Sequence, residues 1–308
     1  QIEVTGFCNM HCKHCRASSQ PHKMINMEQM KKILKFIKKV KSDDFKLTFS
    51  GGEPFLNKNL YKYICMAKDI GLNQIVITTN ASMIDDEMLS KLNDLQLKFL
   101  CIQISLDSIN EEEHDTFRKY PGAFKKCCEV LEKIKNYENL YSSIRMTITS
   151  KTMDEIDDMV NFAIEKEVKI LGIGSVIPFG EALDGKLSLN SKQKKKFMDK
   201  ILDLKEELSD ESKFGGCTAG ISSININSDG IITPCSMMDE EILDINECLN
   251  VEDIISSYEN SPVIKNLFSK KYNGKCGNCI LKRVCGGCRA VAKAYTGDMM
   301  GSDLSCWR

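Results

Sequence analysis

Short apolar runs alternate with helical patterns over the first 180 residues. The runs are rich in Ile, Val, Thr and Leu and apolar on both faces, as strands buried in a parallel sheet are. We predict six such strands, at 2–5, 46–50, 74–80, 100–106, 144–149 and 169–176. Between them, apolar residues recur every three or four positions, which predicts amphipathic helices. One helix covers "MKKILKFIKKVK", and others cover about 59–69, 85–95, 113–136 and 154–166.

Successive strand–helix units predict an α/β fold with a parallel sheet and right-handed crossovers. The strand spacing of roughly 25–45 residues fits a barrel or partial barrel. A doubly wound sheet stays open as the alternative, because periodicity does not show whether a sheet closes. A polar helix is predicted at 191–208, and after it come glycine-rich turns, short strands and a group of cysteines. We therefore predict a first domain at 1–185, a linker helix at 186–214 and a second domain at 215–308.

The net charge and the lengths of the apolar runs argue against a nucleic-acid-binding or membrane protein. With 42% hydrophobic residues and a formal net charge of −1, the 308-residue chain offers no electrostatic case for binding nucleic acid or an anionic membrane. No apolar run approaches a membrane span, and no signal peptide precedes the first strand. We expect a cytoplasmic protein with neither nucleic-acid nor membrane partners. The first residue is Gln rather than Met, so the natural start of the chain can lie upstream.

Cysteine is unusually abundant, with 15 residues. A secreted disulfide protein and a cytosolic metal or cluster protein are the two interpretations, and tight spacing without a signal peptide favours the second. The cysteines form a front group (Cys8, Cys12, Cys15), a rear group (Cys217, Cys235, Cys276, Cys279, Cys285, Cys288, Cys306) and five scattered residues (Cys65, Cys101, Cys127, Cys128, Cys248). The scattered five are predicted to be small buried apolar residues.

The front group lies in "CNMHCKHC" with the spacing C-x3-C-x2-C. A structural zinc site needs four ligands, and the only nearby candidates, His11 and His14, lie inside the same tight loop. A thioredoxin-like pair would leave Cys8 without a role. Three thiolates on a [4Fe–4S] cluster leave one iron without a protein ligand. An open coordination position marks a catalytic centre, so the spacing predicts an iron that binds a small molecule.

Polar motifs close the next three strands. "SGGEP" (50–54) follows the second strand, "TTN" (78–80) the third and "SLD" (105–107) the fourth. Two glycines let the backbone approach a ligand, and Glu53 is an acceptor for a cation such as an ammonium. Each motif alone could be a turn or a strand terminator. Their shared location at carboxyl ends of successive strands, where α/β barrels carry their sites, favours function.

The Cys spacing after strand one, combined with GGEP after strand two, resembles the radical S-adenosylmethionine (SAM) superfamily, and the resemblance covers essentially the whole chain. It implies a partial (β/α)6 TIM-like barrel in which SAM binds the unique iron. It also implies an oxidoreductase that cleaves SAM to a 5′-deoxyadenosyl radical, which abstracts hydrogen from a substrate. The electron would come from a flavodoxin or ferredoxin.

The same resemblance assigns residues. Cys8, Cys12 and Cys15 would hold the cluster and act in catalysis. Contacts to SAM would come from Gly51, Gly52, Glu53 and Pro54 at the ammonium, Asn80 near the ribose, Ser105 and Arg118 at the carboxylate, and Ile177 of "GSVIPFG" at the adenine. His14 stands at a position that is often aromatic and is expected near the adenine. Arg118 lies in a predicted helix, where an arginine is usually exposed.

The rear group does not fit one zinc ribbon. Ribbon knuckles lie roughly 15–20 residues apart, and here the gap is five residues. The pattern resembles the small SPASM domain, which carries two auxiliary Fe–S clusters of the [4Fe–4S] kind. By that resemblance, one cluster would be held by Cys276, Cys279, Cys285 and Cys306, and the other by Cys217, Cys235 and Cys288. The fourth ligand of the second cluster stays open; Cys248 is a candidate, although it lies in a loop entering a helix.

Three functions follow. The tail "CGGCRAVAKAYTGDMMGSDLSC" resembles a SPASM subgroup of pyrroloquinoline-quinone and mycofactocin peptide maturases and haem-pathway enzymes. The favoured function is maturation of a ribosomal precursor peptide by cross-link, thioether, epimerisation or decarboxylation. A haem or haem d1 pathway enzyme acting on tetrapyrrole propionates is the alternative and would need several cationic side chains inside the barrel. A non-catalytic Fe–S or zinc protein is more distant.

Two further expectations concern partners and bases. Many peptide maturases carry an N-terminal leader-binding domain, which we expect here to be absent, removed or supplied by a separate protein. Asp107 and Asp298 are conceivable bases, although a strand end and a turn favour structural roles.

Overall fold

A single nine-stranded sheet organises the chain in the computed structural model, which describes residues 1–19, 22–207 and 216–306. The strands are β1 Ile2–Thr5, β2 Leu47–Gly51, β3 Gln74–Thr79, β4 Phe99–Ser105, β5 Tyr141–Ile148, β6 Ile170–Ser175, β7 Asn225–Ile226, β8 Ile231–Thr233 and β9 Leu243–Asp244. Their spatial order is β6-β5-β4-β3-β2-β1-β7-β8-β9.

The first six strands are parallel, and each lies beside its neighbour in sequence. A doubly wound sheet would reverse its order at a switch point, and this sheet does not. β6 ends the sheet, while β1 pairs with β2 and β7, so the barrel is open. The predicted partial (β/α)6 barrel is confirmed.

Helices cover the outside of the sheet. Their bounds are α1 Met27–Val40, α2 Leu60–Asp69, α3 Asp86–Asn93, α4 Glu111–Arg118, α5 Ala123–Ile134, α6 Ile156–Glu165, α7 Ser191–Glu207, α8 Val251–Asn260, α9 Pro262–Ser269, α10 Gly274–Asn278 and α11 Arg289–Thr296. None of the helices in the described ranges combines the length and apolar character that crossing a bilayer requires.

The α1 helix shows how the sequence specifies these elements. The Asn26 side chain caps its first turn, and the Gln29 side chain accepts a hydrogen bond from the backbone amide of Asn26. The apolar stripe that includes Ile33 and Ile37 is buried in the main core, so the lysines stay on the solvent side.

The helix predicted at 113–136 is two helices, α4 and α5. Lys119 ends α4 in the left-handed conformation (φ 52°), and Gly122 has φ 81°. Pro121 lies between them and cannot continue a helix. The break makes Arg118 the last residue of α4, at the point where the chain turns above the sheet.

The tail continues the barrel sheet. β7 pairs with β1 through Ile2 and Ile226, and β8 and β9 follow antiparallel. The amino group of Gln1 also donates to the Ile224 carbonyl at 2.9 Å. The predicted linker reaches 208–214, which lie outside the described residues, so the proposed domain bounds stay a prediction.

Candidate active site

A cavity of about 410 Å³ opens at the carboxyl ends of the barrel strands. Its walls come from the cysteine loop (residues 6–19), from strands β2 to β6 and the segments that follow them, and from the tail. The lining includes Cys8, Cys12, His14, Cys15, Gly51, Gly52, Asn80, Ser105, Arg118 and Ile177. The structure thus brings together ten of the residues predicted from sequence to hold the cluster or SAM.

The cysteine loop presents three thiols to this cavity. Burial raises the pKa of Cys8 to about 11 and also raises that of Cys12. The Cys15 amide donates to the Cys12 carbonyl at 3.0 Å, and the Cys8 sulfur accepts from the Met10 amide at 3.4 Å. These contacts fold the loop so that all three thiols share one wall.

Gly51 and Gly52 allow β2 to touch the start of this loop. A Cβ atom added to Gly52 would lie 2.1 Å from the Phe7 carbonyl oxygen, and one added to Gly51 would lie 2.1 Å from that of Thr5. The Gly52 amide donates to the Thr5 carbonyl at 2.8 Å. The sequence predicted that these glycines let backbone approach a ligand; the structure shows that they let two segments of the protein approach each other.

Glu53 lies behind the cavity wall. Its side chain is fully buried and accepts from the Thr79 hydroxyl at 2.8 Å and from the Asn80 amide at 2.8 Å. Burial raises the pKa of Glu53 to about 7, against the effect of these hydrogen bonds. Glu53 therefore joins the ends of β2 and β3, and its contact with an ammonium stays a prediction. The next residue, Pro54, is buried at the start of a 3-10 helix.

Asn80 connects the end of β3 to the cysteine loop. Its amide nitrogen donates to the Asn9 side-chain oxygen at 3.0 Å and lies 3.8 Å from the Cys8 sulfur. Its side-chain oxygen accepts hydrogen bonds from both the backbone amide and the hydroxyl of Ser82. Asn80 is thus held in the cavity wall by the chain on both sides of it.

Arg118 is buried, in contrast to the usual exposure of a helix arginine. Its Nη2 atom lies 2.6 Å from Oδ2 of Asp107, and its Nη1 atom lies 3.7 Å from the Cys12 sulfur. Burial would raise the pKa of Asp107, but the charge of Arg118, with a hydrogen bond from the Thr147 amide, holds it below its usual value. Asp107 also accepts from the Thr147 amide at 2.9 Å, so it has a structural role at the end of β4.

His14 packs against α4. Its ring stacks on Phe117 with centroids 4.6 Å apart and planes 7° apart. Burial lowers the pKa of His14 to about 4, so the imidazole is neutral at physiological pH. One ring face is therefore occupied by Phe117, and the predicted stacking near adenine would have to use the other face.

Two charged groups in this region were missed from the sequence. Glu3 of β1 is fully buried and lies 2.6 Å from Arg16, which also donates to the Ser236 carbonyl at 2.7 Å. Arg145 of β5 lines the cavity. Both stand in otherwise apolar strand runs, "IEVT" and "IRMTIT", and a charged residue in such a run is the signal that could have identified them.

Several contacts link the rear cysteines and the segments around them, including a hydrogen bond from the Cys217 amide to the Cys285 carbonyl at 3.1 Å. Burial raises the pKa of Cys235 to about 12, with a smaller contribution from the nearby Cys288 and Cys217, and burial also raises the pKa of Cys288. The Cys276 sulfur accepts from the Asp303 amide at 3.4 Å, and the Cys306 amide donates to the Asp303 carbonyl at 3.2 Å.

Both cluster assignments stay predictions. In the described ranges, no three His, Cys, Asp or Glu side chains are placed to hold a single metal ion. Cys248 packs in the main core, and its thiol donates to the Asp244 carbonyl at 3.6 Å.

The front site fits an iron–sulfur cluster with one coordination position left for a small molecule. Its donor set is three thiols on one cavity wall. The two buried carboxylates of this region already have partners, since Asp107 pairs with Arg118 and Glu53 accepts from Thr79 and Asn80. The cavity continues past the thiols, between polar strand ends.

The sequence is similar to those of known proteins. The family profile described as "Radical SAM superfamily" matches residues 2–163, more than half of the chain. The antilisterial bacteriocin subtilosin biosynthesis protein AlbA of Bacillus subtilis is 27% identical over 93% of this chain and 66% of its own length, so the chain spans about two thirds of that relative. An AdoMet-dependent heme synthase of Methanosarcina barkeri is 25% identical over 99% of this chain and 94% of its own.

The fold also matches a solved structure. Streptococcus suis SuiB bound to precursor peptide SuiA superposes with a TM-score of 0.78 at 16% identity, covering 100% of this chain and 75% of that one. Identity this low supports the shared fold only.

Proposed function

The chain belongs to the radical SAM superfamily, and we propose that it is a maturase that modifies a ribosomally made precursor peptide. The observation that carries the proposal is the lining of the cavity beside the cysteine loop. There neutral amide and hydroxyl groups line the cavity in two hydrogen-bonded pairs, Gln1 with Ser50 at 2.6 Å and Thr78 with Gln103 at 3.1 Å, and their remaining donors and acceptors face the cavity. Such groups hydrogen-bond to the amides of a peptide backbone, and similarity to AlbA, a bacteriocin biosynthesis protein, points to a peptide substrate.

Cys8, Cys12 and Cys15 would hold a [4Fe–4S] cluster, with SAM at its open position. The cluster and SAM together supply one-electron chemistry that removes a hydrogen atom from the substrate. The SAM contacts we propose come from Gly51, Gly52, Glu53, Pro54, Asn80, Ser105, Arg118, Ile177 and His14.

The chain's own residues orient these groups and exclude water. The Arg118–Asp107 ion pair and the His14–Phe117 stack close the cavity behind Cys12. A closed wall keeps water from the thiols and strengthens electrostatic interactions inside. Arg16 ties the same loop to the tail through Ser236, so the tail contributes a wall of the substrate site.

We also infer two auxiliary [4Fe–4S] clusters in the tail, one at Cys276, Cys279, Cys285 and Cys306 and one at Cys217, Cys235 and Cys288. The proximity of Cys217, Cys235 and Cys288 supports the second set, and the first set rests on the spacing of its cysteines. An electron donor such as a flavodoxin or ferredoxin, a separate leader-binding protein and a reducing cytoplasmic location belong to the same proposal.

A haem-pathway activity is the second candidate, favoured by the synthase relative that aligns over 94% of its length. A tetrapyrrole with several propionates needs several free cations in the cavity. The described cavity has few free cationic side chains, because Arg16 and Arg118 are each paired to a buried carboxylate. The charge pattern therefore favours the peptide.

The experiment compares both substrates under one set of conditions. The reconstituted protein is incubated anaerobically with SAM, dithionite and either peptides encoded beside its gene or coproporphyrinogen III. We expect a defined mass change in one peptide, together with 5′-deoxyadenosine, and an unchanged porphyrinogen. A mass change confined to the tetrapyrrole would overturn the peptide assignment.

A further inference from the structure

Arg145 is the charged residue of the cavity that the proposed chemistry does not use. β5 places it between Ser105 of β4 and Gly172 of β6, which are its partners in the strand register. The side chain is exposed, and the surface it exposes lines the cavity that the three front thiols share.

Its guanidinium has no hydrogen-bond or ion-pair partner in the part of the chain that the structure describes. Within the described ranges, the side chain of Arg145 makes no hydrogen bond and no ion pair, whereas the guanidinium groups of Arg16 and Arg118 each lie 2.6 Å from a carboxylate oxygen. Asp107 is the carboxylate whose charge acts on Arg145, and it is already paired with Arg118. The cavity therefore holds one arginine whose charge is not neutralised.

Two glycines of β6 form the seat of this guanidinium. A Cβ atom added to Gly174 would lie 2.5 Å from Nη2 of Arg145, and one added to Gly172 would lie 3.5 Å from Nη1. Any larger residue at Gly174 would displace the guanidinium. The two glycines thus let the planar group lie against the backbone of β6.

A guanidinium presents its N–H donors as a planar fork that matches the two oxygens of a carboxylate. An arginine facing a cavity without a partner carries a charge that a ligand of opposite sign can neutralise without competing with a protein group. The ligand that this geometry suits has one carboxylate. Several carboxylates, as on a tetrapyrrole, would leave the rest without a partner.

We propose that Arg145 binds the carboxylate of an Asp or Glu side chain in the substrate peptide and thereby positions the neighbouring segment beside the cysteine loop. The inference rests on the proposed peptide substrate and adds to it a requirement for an acidic residue. Gly172 and Gly174 are positioning residues for the guanidinium and do not touch the substrate.

Chemical labelling tests the proposal at the residue itself. The anaerobically reconstituted, SAM-loaded protein is treated with phenylglyoxal, and labelling of Arg145 is followed by mass spectrometry of its proteolytic fragment. The probes are acetyl-Gly-Glu-Gly-amide and its Gln counterpart, with the exposed Arg283 as internal control. We expect the Glu probe to slow labelling of Arg145 and the Gln probe to leave it unchanged. Equal effects of the two probes, or none, would overturn the proposal.

Two further labelling experiments test whether Arg145 instead binds a carboxylate of SAM or of a tetrapyrrole. If SAM alone blocks labelling and Arg145→Gln weakens SAM binding, the arginine serves the cofactor; the inference then fails while the peptide function stands. If coproporphyrin III protects Arg145 and the Glu probe does not, both the inference and the peptide function fail.

Variants give an independent measure. Arg145→Gln should weaken binding of the Glu probe about tenfold, the loss expected when one charge-assisted hydrogen bond is removed. Gly174→Ala keeps the arginine but obstructs its seat, and should weaken the same binding to a smaller extent. Iron content and SAM affinity should match those of the control Lys35→Gln, whose side chain is exposed on α1. Unchanged affinity of Arg145→Gln for the Glu probe would contradict the proposal.

Discussion

Arg118 and Asp107 form a buried ion pair, 2.6 Å apart, with the second nitrogen of the guanidinium 3.7 Å from the sulfur of Cys12. The pair joins the end of α4 to the end of β4 directly behind the cysteine loop. It fixes the wall against which the front thiols lie, so the integrity of the site and the stability of the barrel depend on the same contact.

Asp107→Asn should therefore destabilise the protein strongly. Removing one partner of a buried pair leaves the other charge uncompensated and costs about 3–5 kcal/mol. The measurement is the free energy of unfolding from denaturant titration. The double variant Asp107→Asn with Arg118→Met should recover part of the loss, and Asp154→Asn, which breaks an exposed pair with Lys196, should have little effect. A single variant as stable as the parent would contradict the role of the pair.

Gly52→Ala tests the contact between β2 and the cysteine loop. A methyl group would lie 2.1 Å from the Phe7 carbonyl oxygen, so the loop must shift. We expect the variant to lose SAM cleavage and iron from the front site. The control is Gly71→Ala, where the added carbon meets no atom within 4 Å and the φ of 83° costs about 1 kcal/mol. Equal activity of the two variants would refute the steric argument.

Arg16→Gln tests how the tail is attached to the barrel. The change removes the partner of the buried Glu3 and the hydrogen bond to the Ser236 carbonyl. Amide hydrogen exchange around Ser236 should become faster, because that segment loses its anchor. The matched control is Lys23→Gln, whose pair with Asp229 also joins barrel to tail but is exposed. If both variants exchange alike at Ser236, Arg16 is not the anchor.

The two proposed auxiliary clusters imply a definite iron content. Three four-iron clusters correspond to about 11–12 iron atoms per chain, and Cys276→Ala or Cys217→Ala should each lower the count by about four. Cys248→Ala should not change it, because that thiol packs in the core and donates to a backbone carbonyl. The measurement is iron and sulfide content after anaerobic reconstitution. A parent protein with about four iron atoms would rule out the rear assignment.

Much of the barrel could be predicted, because each strand is an unbroken apolar run. β1 lies at 2–5 as predicted, and β2, β3, β4 and β6 agree to within a residue at each end. β5 begins at Tyr141, ahead of the predicted 144. The Tyr-Ser-Ser stretch is too polar to predict a strand from sequence, and it is a strand here because it pairs with β4. The break between α4 and α5 depends on backbone conformation at Lys119 and Gly122, which an apolar periodicity does not reveal.

The candidate site, like the barrel, has features that local sequence predicts and features that only the folded chain reveals. The front thiols and strand-end motifs were predicted because they follow local spacing. The burial of Arg118 was not, because its partner Asp107 comes from another element and meets it only in the folded chain. Glu3 with Arg16 and Arg145 with Gly174 likewise come from different segments of the chain and meet only when it is folded.

The most direct test of the account is 5′-deoxyadenosine formation by the reduced, reconstituted protein. Cys12→Ala removes one of the three thiols of the front site, and Cys65→Ala, on α2, is the matched control. We expect SAM cleavage in the parent and in Cys65→Ala, and none in Cys12→Ala. Cleavage that persists in Cys12→Ala would contradict the assignment of the front cysteines as the site where SAM is bound and cleaved.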